Sequence, residues 1–356
     1  MKGLILAAGL GTRLRPITSL RPKPIIAVAN RPLIHYAVDD LLDAGVRDIG
    51  VVVSPDTRDA LREALESYSD RASFTYLLQD PPEGLAHAVM VSRDFLADEP
   101  FVMYLSDNLF EHGIRPFVEA FRPEEGVNAV LALVAVDDPR AFGVAKVEDG
   151  RITDLVEKPE HPPSNLAVAG VYVFDATIHD ALDGLEPGAK GEYQITDAIH
   201  RLIRRDLKVA PVQLEGWWKD TGKPDDILDA NRLILSRSRR RIDGDVNESR
   251  LLGEVVVEAG ATVRRSTVVG PALIGAGCVV EDAYIGPFTT LGDGSSVRDA
   301  ELEYAVLGPS ASVRAVHGRI ASSLIGASVV VEGNETRPRS HALVIGDYGR
   351  LVLADT

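Results

Sequence analysis

Near the start of this 356-residue chain, cationic side chains follow a glycine turn. Leu4-Ile5-Leu6-Ala7-Ala8 is apolar and reads as a buried strand. It breaks at Gly9-Leu10-Gly11-Thr12-Arg13 and runs on through Arg15 to Lys23-Pro24. Glycines at a strand end let backbone amides approach an anion closely, and arginines add charge-assisted hydrogen bonds. The chemistry on offer is polyphosphate binding. The stretch is not a P-loop, which needs Gly-Lys-Ser/Thr, nor a dinucleotide fingerprint, whose third glycine is Leu14 here. Two carboxylates form the second group: Asp107 after Phe101-Val102-Met103-Tyr104-Leu105, and Asp220 between Trp217-Trp218 and Thr221-Gly222. Each alone is the kind of residue that caps a turn. Beside a phosphate loop, two carboxylates suit Mg²⁺, which takes one or two of them together with waters and substrate phosphate oxygens. Lys158, in Glu157-Lys158-Pro159, adds positive charge, and Gln79 and Gly84 suit the reading of a nucleobase edge. No nucleophile constellation of Ser/His/Asp or Cys/His type is evident, so no covalent intermediate is required.

The elements that must position these groups alternate. Apolar runs predict strands over 49–53, 74–78 and 101–105, and helical spacing predicts helices over 32–44, 56–68 and 86–95. That alternation is the pattern of a doubly wound parallel sheet, in which ligands lie beyond the carboxyl ends of the strands. Gly9 to Arg13, Gln79 to Gly84 and Asp107 all fall at that edge. Residues 130–136, 142–147, 152–156 and 166–174 read as further strands, antiparallel and inserted on the core. Helices follow over 191–205 and 224–235, with a strand over 209–214 between them.

Net charge of −15 argues against non-specific nucleic-acid binding, so an anionic substrate must be met by local basic groups. No apolar run is long enough to span a membrane, Cys278 is the sole cysteine, and a reducing cytoplasm is the expected setting. After a basic stretch at 236–241 the texture changes. Small apolar residues recur about every six positions (Val257, Val263, Val268, Ile274, Val280, Ile285, Leu291, Val297), often with glycine following. This is a hexapeptide signature of a parallel β-helix, with irregular coils expected between 300 and 320. The expected organisation is a catalytic domain over 1–236, a linker over 237–250 and a β-helix over 251–356. Solenoid ends are sticky, so a homo-oligomer is expected.

Together, Leu6-Ala7-Ala8-Gly9-Leu10-Gly11-Thr12-Arg13-Leu14, Lys23-Pro24, Asn30-Arg31-Pro32-Leu33, Glu157-Lys158-Pro159 and Trp218-Lys219-Asp220-Thr221-Gly222 resemble the sugar-1-phosphate nucleotidylyltransferases. Leu105-Ser106-Asp107-Asn108, Ser164-Asn165-Leu166-Ala167-Val168-Ala169-Gly170 and Glu192-Tyr193-Gln194-Ile195-Thr196-Asp197 are similar, more narrowly, to glucose-1-phosphate thymidylyltransferases. The match is to the long form, which carries a left-handed β-helix tail and serves antibiotic deoxysugar pathways. The resemblance covers essentially the whole chain. It implies a Rossmann-like, mixed and mostly parallel α/β nucleotidyltransferase core with Mg²⁺ as cofactor. It also implies direct in-line attack of glucose 1-phosphate on the α-phosphorus of a nucleoside triphosphate, dTTP, with release of pyrophosphate.

Carried over to matching positions, Gly9, Gly11 and Arg13 hold the triphosphate, with Leu6, Ala8 and Thr12 beside it, and Lys23 stabilises the reacting phosphates. Gln79 and Gly84 read the base, and Asp107 and Asp220 bind the metal. Gly143, Glu157 and Val168 meet the sugar, and Asn108, Lys158 and Lys190 its phosphate. Three departures leave base and sugar open. Ala8 replaces the first of paired glycines, as in many uridylyltransferases; Phe142 stands for a usual tyrosine, and Lys190 for a frequent arginine. A uridylyltransferase or a cyclitol-phosphate enzyme is the near alternative. A non-catalytic scaffold protein would be expected to have lost its charged site, yet Arg13, Lys23, Asp107, Lys158 and Asp220 are all present. A dinucleotide-dependent oxidoreductase fails on Leu14 and on the missing acid after the second strand. His317 and His341 sit in no acetyltransferase-like pattern.

Overall fold

The computed structural model describes residues 1–188, 191–334 and 348–352. It separates into two compact units. The first comprises Met1–Leu10, Pro22–Ile25 and Leu33–Asp220. Its centre is four parallel strands in the order Ser73–Leu78, Asp48–Val53, Lys2–Leu6 and Phe101–Leu105. Successive residues of a strand face opposite sides. Ile5, Val51, Val102 and Tyr104 therefore join one buried cluster, and Leu4, Val52, Phe101 and Met103 the other. Both faces are covered by helices, which is why these strands read as continuous apolar runs. Leu33–Asp43 buries Leu33, Ile34, Ala37, Val38, Leu41 and Leu42 on one stripe, and the turn that follows holds Gly45 at positive φ.

The sheet continues antiparallel through Leu166–Phe174, which pairs with Phe101–Leu105, Val127–Ala135 and the hairpin strand Gly143–Glu148. Arg151–Glu157 closes that hairpin, and Lys208–Gln213 runs parallel to Val127–Ala135. These are the inserted strands expected from the sequence. The helix expected over 86–95 is instead two short pieces, Leu85–Val91 and Arg93–Leu96. They divide at Ser92, whose hydroxyl donates back to the Ala88 carbonyl at 2.6 Å; such back-bonding competes with the helix ladder.

The second unit holds Gly11–Arg21, Ile26–Pro32 and everything from Thr221 onward. Its helix Pro224–Leu235 starts with proline in the first turn. The rest is a three-sided parallel β-helix of strands mostly two or three residues long. The residues of the six-residue repeat stack directly: Val263 on Val280 on Val297, Val257 on Ile274 on Leu291, and Val268 on Ile285 on Leu302. All of them are fully buried. Where the repeat blurs, two short strands per coil merge into the longer Glu301–Leu307 and Arg319–Ile325. The segment expected as a linker already forms the first coil, because Arg241–Ile242, Asp245–Asn247 and Arg250–Leu252 pair with the coil after them. A terminal coil stacks on one side only, so its residues are polar and hide from pattern reading.

Within this unit Asn231, on the helix, is fully buried. Its Oδ1 accepts from the Ala29 amide at 2.9 Å and the Thr290 hydroxyl at 2.8 Å, and its Nδ2 donates to the Phe288 carbonyl at 3.0 Å. One amide thus ties the hairpin Ala27–Val28/Arg31–Pro32 to the β-helix. Asn231→Ala strands these buried groups and is expected to cost about 2–4 kcal/mol of stability, read as a lowered urea midpoint for this unit.

Candidate active site

The ends of the parallel strands bring several expected residues to one edge. Ala7 donates to the Val52 carbonyl, Gln79 to Val53 and Ser106 to Leu6, at 2.9, 2.9 and 3.3 Å. Gly9, Gln79 and Asp107 therefore leave the sheet at the same edge, Gly9 beside Asp107 and Gln79 beyond the intervening strand Asp48–Val53. A Cβ on Gly9 would meet no described atom within 4 Å, so the space before it is open. Ala8 is buried and Leu6 half-buried within the strand end. In the second unit Gly11 adopts left-handed backbone and starts the turn Thr12–Leu14, and the Thr18 hydroxyl donates to its carbonyl at 2.9 Å. Thr12 and Arg13 are exposed.

The second strand of chemistry is a two-stranded ladder. Asn108–Phe110 pairs antiparallel with Trp218–Asp220, and Asp220 lies opposite Asn108. Two carboxylates more than a hundred residues apart thereby reach one end of a small sheet. Asn108 organises that end. It is 3% exposed, its Oδ1 accepts the Trp218 indole N–H at 2.6 Å, and its Nδ2 donates to Asp107 Oδ1 at 2.8 Å. An indole nitrogen can only donate, so it fixes which way the amide points. The Tyr104 hydroxyl donates toward Asp40 Oδ2 at 2.8 Å and the Asn108 carbonyl at 3.2 Å. Burial above all, then the Asp40 carboxylate, pushes this phenol well above its ordinary range, so it stays a neutral donor. Asp107 Oδ2 is held in an ion pair by the Lys23 ammonium. Asn108, expected at the sugar phosphate, thus has both ends of its amide engaged within the ladder.

The residues expected at the sugar converge separately. Gly143 pairs with Glu157 across the hairpin. A Cβ on Gly143 would lie 2.9 Å from Thr196 Cγ2, 3.3 Å from Glu157 Oε2 and 3.9 Å from Val168 Cγ2, so only glycine fits. Lys158 is exposed, in left-handed backbone (φ 42°), and its ammonium reaches Glu157 Oε1 at 2.8 Å. Left-handed backbone at a non-glycine residue costs on the order of 1–2 kcal/mol and clusters at functional sites. Gln79 is 4% exposed and donates from Nε2 to the Gly84 carbonyl at 2.9 Å. Gly84, at φ 102°, could not carry a Cβ, which would stand 2.6 Å from the Tyr193 carbonyl. Lys190 lies outside the described residues.

Thr196, Trp218 and Gly170 carry no individual expectation from the sequence, although all three stand within its motifs. Gly170 sits at φ 68° where the strand register shifts, and a Cβ there would be 2.5 Å from Asn108 Oδ1. A glycine inside an apolar strand was the available signal, since it marks a close approach.

The family model for nucleotidyl transferases matches residues 2–237. A glucose-1-phosphate thymidylyltransferase of Streptomyces griseus is 44% identical over 98% of this chain and 99% of its own. A low-salt glycan biosynthesis nucleotidyltransferase of Haloferax volcanii is 41% identical over 99% of this chain and 100% of its own. The chain belongs to the sugar-1-phosphate nucleotidyltransferase family. Among solved structures of that fold, a UDP-glucose pyrophosphorylase complexed with UDP-glucose aligns with TM-score 0.60 and 29% identity, covering 66% of this chain and 98% of that one.

Two expectations follow for this nucleotidyltransferase. Gly170→Ala should push the Asn108 amide off Asp107 and lower turnover by about tenfold or more, measured as kcat on the folded variant. Burial first, and the nearby Glu157 charge second, raise the Asp197 carboxyl above its ordinary value. A raised carboxyl favours the fold when protonated and loses that contribution as pH rises through its folded value. The melting temperature of Asp197→Asn relative to wild type should therefore climb as pH is raised from 4 to 7, in parallel thermal scans.

Proposed function

We propose that the protein transfers dTMP from dTTP to glucose 1-phosphate, giving dTDP-glucose and pyrophosphate. The observation that carries a nucleotidyl-transfer reading is the ladder end that brings Asp107 and Asp220 together with Lys23 on Asp107. Among the described residues no three acidic, histidine or cysteine side chains gather into a ready metal cage. Two carboxylates are what Mg²⁺ uses when substrate phosphates complete its shell, so the donor set fits that ion. Asp107 and Asp220 would hold it, and when bound it supplies charge neutralisation and alignment of the phosphates.

The chain's own groups do the rest. Gly9, Gly11 and Thr12 offer amides to the triphosphate, with Leu6 and Ala8 lining the strand end, and Arg13 and Lys23 offset its charge. Gln79, oriented by Gly84, reads the base edge. Gly143, with Val168 and Glu157 close about it, presents its backbone to the sugar ring. Lys158 and Lys190 meet the sugar phosphate, and Asn108 acts by aiming Asp107 rather than by touching the sugar. A sugar-phosphate oxygen forms the new bond to the α-phosphorus while the bond to the β-phosphate oxygen breaks and pyrophosphate leaves. Positioning and electrostatics carry such a step, so no covalent intermediate is invoked.

Full-length likeness to the Streptomyces enzyme supports thymidine and glucose. A uridylyl transfer is the second reading, favoured by Ala8 and by the structural likeness to a UDP-glucose pyrophosphorylase. The same reading takes the protein to be a cytoplasmic homo-oligomer. The deciding assay is pyrophosphate release across a matrix of dTTP, UTP and sugar 1-phosphates. The dTTP and glucose 1-phosphate pair should give the highest kcat/KM; a UTP preference would transfer the assignment to the second reading. Asp107→Asn and Asp220→Asn should each lower kcat roughly a thousandfold, about 4 kcal/mol of barrier, with the circular dichroism spectrum unchanged.

A further inference from the structure

Lys23 is 8% exposed, and its ammonium is paired with Asp107 Oδ2. The other oxygen, Oδ1, accepts from Asn108 Nδ2 at 2.8 Å. Both oxygens of the carboxylate are therefore engaged by donors from the chain itself. A nearly buried ammonium carries a heavy desolvation penalty unless an anion faces it. A divalent ion entering the free protein would compete with Lys23 for Asp107 and weaken the pairing of that ammonium. The same ion entering with a triphosphate brings the anion that Lys23 then needs.

We infer that Lys23 is a place-holding cation, occupying Asp107 until a divalent ion arrives together with a nucleoside triphosphate and then passing to the phosphates. This rests on the assignment of Asp107 to the metal in the proposed function. It adds that metal and triphosphate binding are coupled, because one cation is exchanged for another on a single carboxylate. Asp107 is kept paired at rest, and Lys23 is delivered to the phosphates only when the site is filled. A lysine serving only the reacting phosphates would show no such coupling in the free protein.

The test is Mn²⁺ titration of the full chain without nucleotide, followed by the electron paramagnetic resonance signal of free Mn²⁺. Lys23→Met removes the competing charge and should tighten Mn²⁺ binding at least about tenfold over wild type. Lys23→Gln should move the same way and decides the matter if the methionine variant does not fold. Adding Asp107→Asn to either should abolish the gain. Mn²⁺ binding no tighter in the Lys23 variants than in wild type overturns the place-holder. If that unchanged binding still depends on Asp107, the metal assignment survives; if it does not, or if no variant binds Mn²⁺, both readings fall.

Discussion

The candidate site depends on one short antiparallel pairing. Asn108–Phe110 and Trp218–Asp220 share only three register positions, yet without them the two carboxylates have no reason to meet. The pairing is held from behind by buried contacts. Leu109 and Phe110 are buried, Phe110 packs edge-on to Tyr104, and Tyr104 itself braces the Asn108 carbonyl. A ladder this small is marginal in isolation. Here its stability comes from the main sheet, whose strand Phe101–Leu105 delivers Asp107 a residue before the ladder begins.

Polar residues at that junction orient one another in sequence. The Trp218 indole chooses the orientation of the Asn108 amide, the amide orients Asp107, and Gly170 leaves the volume the amide needs. Such buried networks hold a single geometry when every member is satisfied and fail badly when one is not. The surroundings of Gly143 and Gly84 follow a different principle, that of space. Gly143 and Gly84 have no room for a side chain, and the residues around them, Thr196, Glu157 and Tyr193, approach backbone directly.

Most of the fold was legible because its signals are local. The run Phe101–Leu105 and the helix Pro224–Leu235 match their expected bounds, and the six-residue recurrence from Val257 to Val297 became the stacked interior of the β-helix. The split helix at Ser92 and the polar first coil at 241–252 were not legible: one turns on a single side-chain hydrogen bond, the other on having a neighbour on one side only. At the candidate site, residue types announced themselves, but their roles required partners distant in sequence. Nothing local to Asn108 shows that Trp218 will claim its oxygen, and nothing near Asn231 shows that Ala29 and Thr290 will share it.

The membership of the two units has a consequence for how the protein is made. Gly11–Arg21 and Ile26–Pro32 are synthesised well before the rest of the compact unit to which they belong, whose remainder begins at Thr221. At about 5–20 residues per second, translation leaves these segments without their packing partners for ten seconds or more. The parallel sheet can assemble around its first strand in that interval, while the arginine-bearing turn after Gly9 waits exposed for the β-helix. A stretch made long before its packing partners is thus among the last to be built into the fold, and a chain released early would carry the sheet without a finished turn.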